Sequence, residues 1–597
     1  MRAARHAGLI CTALLVLTAA AGASRDRAQA QDTWNPFKPN SEQPAQRRSK
    51  ASEAAPPGLP APRREGADPA GVEPPPWQRP RSAPVERGEL EPILAPDASG
   101  LPLELWRGLD LKALEGLLAG LELPPRSPAL HRLWRRILLS SAPPPAGAAT
   151  DDHFTALRLE ALYRSGLLAD MAAILGDAGA SGPVVQALRA RREIGLGQRE
   201  EGCRSIAALA APQSGLPGRL KGETQLLAGY CAAAAGDTSG ASLAADLARE
   251  EGVDAELPLA VLGGVAAGAQ PRLQLPKRVL LLDYRFLELL GPVNAAQIFD
   301  KAEPALLAAL AGDANGEPRL RVAAAEAGLR LNALAPDVVA DIYRRQSISG
   351  AVAADPAQAV DPLLRRAMYF KAAEVARAPA QRARFLRALM DDARRSGFAA
   401  QMALVAAPLL AGLPPSPELQ GFAETGAEMA LAAGEFDVGR RWAETTGASR
   451  HWLALIDLAD PSRRGARPAS LALVEDLAYR GRLGAEALHK LATVLDALDI
   501  DVPISLWEAA SRAPQPTGGY LPDTGILADL AQSAQRKDAG RTILLALRAL
   551  GANGPEGANI LALGDAVRAL RRVGLEADAR RVGIEALAPA WPRSTAN

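Results

Sequence analysis

The side chains able to do chemistry are few and widely spaced. Among 597 residues there are only five His and three Cys. His6 and Cys11 lie close to the start, while His131, His153, His451 and His489 are isolated in sequence. Neither the two-His helical spacing of a zinc protease nor the paired Cys/His spacing of a structural zinc site occurs. Asp151-Asp152-His153 has ligand-type residues, but carboxylates there also suit a helix start, where they meet the positive end of the dipole. Asp313-Ala314-Asn315-Gly316-Glu317 begins like a calcium loop, yet lacks Gly at the sixth place and Glu at the twelfth. Gly195-Leu196-Gly197 with Gly202 has the wrong spacing for a dinucleotide loop and follows no strand pattern. Phosphate-loop and nucleophile-elbow sequences are absent. The adjacent carboxylates Glu200-Glu201, Glu250-Glu251 and Asp391-Asp392 read as polar faces or helix ends. Distant carboxylates that meet in the fold leave glycoside chemistry open. The expectation is a non-catalytic chain with no metal and no cofactor.

Cys203 and Cys231 fall on what read as consecutive helices. In an oxidising compartment an even pair invites a disulfide; the alternative is two buried thiols acting as small hydrophobes. Arginines cluster at Arg135-Arg136, Arg189 with Arg191-Arg192, Arg344-Arg345, Arg365-Arg366 and Arg440-Arg441. Such clusters either line a groove for acidic peptide or glycan, or spread as solvated faces over Ala-rich helices. The formal net charge of +1 gives no electrostatic reason to bind nucleic acid.

The elements that must position these residues follow from the pattern of the chain. Arg2, Arg5 and His6 precede an apolar run, Leu9 to Ala23, too short for a comfortable membrane span. Small-x-small sites follow at Ala21-Gly22-Ala23 and Ala28-Gln29-Ala30, so residues 1–30 read as a signal peptide cleaved after Ala30. An uncleaved anchor is the alternative. Leu9-Ile10 before Cys11 lacks the small residue expected of a lipidation signal. Residues 31–96 are dense in Pro and read as a disordered tether, with Trp34, Phe37 and Trp77 as aromatic islands. No later segment reaches the length of a membrane helix.

From 97 to 597 the apolar spacing is helical. Hydrophobic content is 48% but aromatics are only 4%, so Ala and Leu, strong helix formers, dominate. Ser127-Pro128 and Pro336-Asp337 read as helix starts. A turn recurs loosely as Arg164-Ser165-Gly166-Leu167, Arg395-Ser396-Gly397-Phe398, Arg480-Gly481-Arg482-Leu483 and Arg572-Val573-Gly574-Leu575. Glycine there can take the left-handed position that ends a helix, and the next apolar residue can fold back. Possible elbows lie near 141–150, 268–276 and 513–523.

Small residues at helical-hairpin spacing resemble the tetratricopeptide repeat (TPR). One window holds Gly229, Ala232, Gly236, Ala241, Ala245 and Ala248. A second holds Ala427, Ala430, Gly434 and Phe436, with Gly439 in place of the usual Ala; a fainter third holds Gly574, Ala579 and Ala586. The family's Trp, Tyr and closing Pro positions are mostly missing, so the resemblance covers scattered windows only. It implies an all-α fold of helical hairpins stacked into a right-handed solenoid. The chain also looks like the Ala-rich superhelix of some periplasmic lytic transglycosylases, without a Glu-Ser lysozyme-like motif after it.

These features together predict a periplasmic scaffold that binds a protein partner of the cell envelope. The alternatives are a peptidoglycan-associated protein that binds or regulates a wall enzyme, and a motility or secretion accessory. Neither nucleic acid nor, after signal cleavage, an integral membrane span is expected.

Overall fold

The computed structural model describes residues 94, 97, 99–148, 151–176, 182–209, 216–347, 355–463 and 468–594. The expected signal peptide lies outside the described residues. So does nearly all of the Pro-rich segment, including Trp34, Phe37 and Trp77.

Every extended secondary-structure element among the described residues is a helix. The first group comprises α1 (Leu111–Ala119), α2 (Pro128–Leu139), α3 (Asp151–Arg164), α4 (Leu168–Leu175), α5 (Pro183–Gly195) and α6 (Arg199–Leu209). Next come α7 (Gly218–Ala234), α8 (Thr238–Glu250), α9 (Glu256–Ala267), α10 (Leu281–Leu287), α11 (Ala295–Ile298), α12 (Pro304–Gly312), α13 (Pro318–Arg330) and α14 (Pro336–Arg344). The third group is α15 (Pro362–Val375), α16 (Pro379–Arg395), α17 (Ala399–Leu410), α18 (Ala423–Ala433), α19 (Phe436–Ala443), α20 (Trp452–Ala459) and α21 (Leu471–Tyr479). The last is α22 (Ala485–Ala497), α23 (Ile504–Arg512), α24 (Thr524–Gln535), α25 (Ala539–Leu550), α26 (Gly554–Gly557), α27 (Ile560–Arg572) and α28 (Glu576–Leu587). None is long and apolar enough to cross a membrane.

Local chemistry sets where these helices begin and end. Ser127 accepts the Leu130 N–H at 3.1 Å and Pro128 opens α2, where a missing backbone donor costs nothing. Pro183, Pro304, Pro318, Pro336, Pro362 and Pro379 each open a helix in the same way. Glycines close them. Gly166 (φ +75°), Gly236 (+81°), Gly397 (+74°), Gly434 (+78°), Gly481 (+65°) and Gly574 (+87°) are all left-handed. At each one the glycine N–H bonds the carbonyl three residues back, and the next N–H reaches the carbonyl five back; Leu167 N–H to Leu162 O, at 2.9 Å, is one example. The same bonding recurs at Asn332, Asp499 and Lys537, with φ of +55°, +59° and +57°.

Successive helices pair as hairpins: α5 with α6, α7 with α8, α12 with α13, α15 with α16, α18 with α19, α24 with α25 and α27 with α28. Small residues sit where they cross. A Cβ on Gly229 would lie 2.8 Å from a Leu262 methyl and 3.2 Å from the Ala244 Cβ, and Ala241, Ala245 and Ala248 are buried. Gly439 meets Ala430 and Ile456 in the same way. The Ala- and Leu-rich core runs through these crossings.

Neighbour packing is not the whole arrangement. Helices α1 and α2 pack on α25, and α2 also on α28. Arg136 grips both oxygens of Asp578 at 2.8 and 2.7 Å, the Ala129 N–H donates to Glu585 at 2.8 Å, and the Gly540 N–H donates to Leu105 O at 2.9 Å. The expected elbows carry tertiary bonds as well. Leu111 N–H reaches Ala146 O at 2.9 Å, and Tyr520 exchanges backbone bonds with Gly557 and Asn559 at 2.8 and 2.9 Å. Residues 269–276 form an irregular segment after the left-handed Gly268.

Candidate interaction surface

The residues singled out by sequence divide into struts and turns. Cys203 on α6 and Cys231 on α7 have their sulfurs at bonding distance, 1.99 Å, with Cα atoms 5.6 Å apart. The glycines Gly166, Gly236, Gly397, Gly434, Gly481 and Gly574 are helix-ending turns, as described. Gly195 ends α5, Gly197 forms the α5–α6 turn and Gly202 lies in α6, where a Cβ would strike Ile194 at 2.5 Å. Asp313 accepts the Asn315 N–H at 3.0 Å within the α12–α13 loop. His131 is half-buried, and the burial of its imidazole, reinforced by the Arg135 charge, pushes it down to about 4. His489 lies 3.4 Å from Ala513 O. His451 bonds Pro592 O at 2.7 Å and stacks on Trp591. Among the described residues no three His, Cys, Asp or Glu side chains gather as metal ligands.

In each arginine cluster at least one guanidinium is engaged internally. Arg135 forks onto Asp170 at 2.6 and 2.7 Å. Arg191 is wedged between Glu160 (2.7 Å) and Glu223 (3.1 Å), with its guanidinium over the Tyr163 ring. Arg344 bonds Asp341 at 2.6 Å and Glu374 at 2.9 Å. Arg366 is buried and joins Glu326 on α13 to Asp392 on α16, at 2.5 and 2.9 Å. Arg365 takes the other oxygen of Asp392 at 2.7 Å, and Arg440 gathers Asp437, Asp457 and Asp460. These guanidiniums bolt one helix to another, and charges already saturated by such pairs have little capacity left for an acidic ligand.

What the fold leaves unsatisfied is apolar. Tyr479, at the end of α21, is 93% exposed; Ile504 and Trp507, one turn apart on α23, are 77% and 51% exposed. The two helices pack together, with Ser505 Oγ donating to Glu475 at 2.6 Å. Tyr520 and Leu521 are also exposed, as is Leu561 at the start of α27, and the Asn559 N–H donates to Tyr520 O at 2.9 Å. Apolar residues three apart in a helical sequence have the spacing of a core face, so periodicity alone does not mark Ile504 and Trp507 as exposed. Only the packing shows that the buried side of α23 is Leu506 and Ala510.

No protein-family model, curated protein or solved structure matches the chain.

Proposed function

We propose that this protein is a non-catalytic scaffold of the cell envelope, exported to the periplasm, that binds a protein partner through its helical surface. In this reading the hairpins are TPR-like units winding in a right-handed superhelix, and the Pro-rich segment sets the reach of the body. The observation that carries the reading is the exposed group Tyr479, Ile504 and Trp507 on two packed helices. Large aromatics left in water are costly, and Trp and Tyr are the side chains that anchor protein interfaces. The charged neighbours are self-paired, Arg480 with Asp476 and Arg512 with Glu508, which suits a polar rim around an apolar centre. The partner face should therefore be an apolar segment with few charges at its middle.

The test is in-cell photo-crosslinking with a probe at position 504, in chains that keep or lose Trp507. Capture of one dominant protein, lost with Trp507→Ala and Tyr479→Ala while the melting temperature holds, is the expected result. Equal capture from a probe on a charged surface, or capture indifferent to both substitutions, would sink the proposal.

A further inference from the structure

Far in sequence from that aromatic group, a polar cleft of about 240 Å3 opens between α16, the turn that leads into α18, and the segment following α28. Its C-terminal wall is fixed. Trp591 is buried against His451, and Arg593 lies over the Trp452 ring and pairs with Glu428 at 2.7 Å. The Ser594 N–H donates to both oxygens of Glu424 at 3.0 and 3.2 Å.

The opposite wall has polar capacity to spare. Arg387 donates through Nη1 to Gly421 O at 2.8 Å, while its Nε stands 3.9 Å from Asp391 Oδ2, too long for a hydrogen bond. Asp391 is held on its other oxygen by Arg394 at 2.7 Å. Thr425 lines the same cleft with only 7% of its surface exposed.

Charge and size then select the ligand. A simple anion entering the cleft would face Asp391 and Glu424, and a simple cation would face Arg387, Arg394 and Arg593. Arg387 and Asp391 present opposite charges side by side at 3.9 Å. That spacing complements a molecule whose own opposite charges sit on adjoining carbons. The volume falls below the roughly 300–1,000 Å3 of sites for drug-sized ligands. We propose that this cleft binds a free α-amino acid, its carboxylate on Arg387, its ammonium on Asp391 and a carboxylate oxygen within reach of the Thr425 hydroxyl. The site is separate from the aromatic surface and does not depend on it.

Calorimetric titration of the full chain with L-alanine and with D-alanine tests this, with propionate and ethylamine as ligands lacking one charge. Saturable binding of at least one enantiomer is expected, with both single-charge analogues weaker by on the order of tenfold or more. Arg387→Gln and Asp391→Asn should each cost a similar factor without lowering the melting temperature. Thr425→Val, nearly isosteric, should weaken binding by a smaller factor and serves if a charge variant fails to fold. Absence of heat from both enantiomers at tens of millimolar would overturn the proposal. So would propionate binding as well as alanine, or affinity unchanged in Arg387→Gln and Thr425→Val alike.

Discussion

Gly166 and Gly434 end their helices with nearly the same backbone, φ +75° and +78°, but in different surroundings. A Cβ added at Gly434 meets nothing within 4 Å. One added at Gly166 would lie 2.8 Å from the Ala333 Cβ and 2.9 Å from the carbonyl carbon and oxygen of Pro304. Alanine at either site forces a left-handed L-residue, at about 1–2 kcal/mol. A stiffer unfolded chain returns about 0.4–1 kcal/mol of this. Gly434→Ala should therefore cost about 1 kcal/mol. Gly166→Ala adds overpacking against backbone that cannot swing aside, typically about 1–3 kcal/mol, for a total of about 2–4 kcal/mol. A long helical array need not melt in one step, so hydrogen exchange resolved by peptide is the right assay. Around Gly434 exchange should accelerate by roughly fivefold and stay local. Around Gly166 it should accelerate by roughly 30-fold or more, and spread to α12 and to the turn at Ala333. Equal acceleration at the two glycines, or a Gly166 effect confined to the α3–α4 turn, would refute the packing argument.

Other perturbations have equally definite outcomes. Cys203 and Cys231 are separated by 28 residues, so replacing both by Ala should lower stability by roughly 3.5 kcal/mol on the chain-entropy estimate, measured as a shift in urea midpoint against the untreated chain. Identical midpoints with and without reductant would remove the cross-link from the account. Asp283 accepts the Leu280 N–H at 2.9 Å, but burial, reinforced by the Glu303 charge, pushes its carboxyl up to about 7. Between about pH 4 and 7 the folded chain holds a proton that the unfolded chain has lost. Stability should thus fall as pH rises through that window, by on the order of 4 kcal/mol, and level off above it. Asp283→Asn should flatten the profile; a variant as steep as the parent would exclude this carboxyl as the cause. Asn332 donates to the carbonyls of Pro125 and Arg126 at 3.0 and 2.9 Å from a left-handed position. Asn332→Ala should cost about 2–3 kcal/mol in denaturant titration, and a loss under about 0.5 kcal/mol would show that these bonds contribute little.

The helical class was legible because it is written locally, in Ala and Leu spacing, in Pro at helix starts and in Gly at helix ends. The turns at Asn332, Asp499 and Lys537 were not, since no glycine marks them and a non-glycine residue at positive φ is uncommon. Partners of the arginines were also hidden. Arg366 reaches Glu326, 40 residues back, and Asp392, 26 residues on, in helices whose facing cannot be counted off one strand of sequence. The cleft joins α16, the approach to α18 and the residues after α28, and no motif marks the meeting of three segments so far apart. The exposure of Trp507 was hidden too, because an exposed aromatic on an amphipathic helix has the same spacing as a buried one.

The pairing of Arg136 with Asp578 bridges 442 residues. At ribosomal rates of about 5–20 residues per second, roughly 20–90 seconds pass between making the two ends of that contact. Throughout that interval Leu130, Leu133, Trp134 and Ile137, all buried in the finished protein, lack the last hairpin that helps to cover them. Helix α2, made early, is therefore among the last to be fully covered. A premature stop that removed only α28 would uncover part of α2 as well, coupling the fate of that early helix to the completeness of translation.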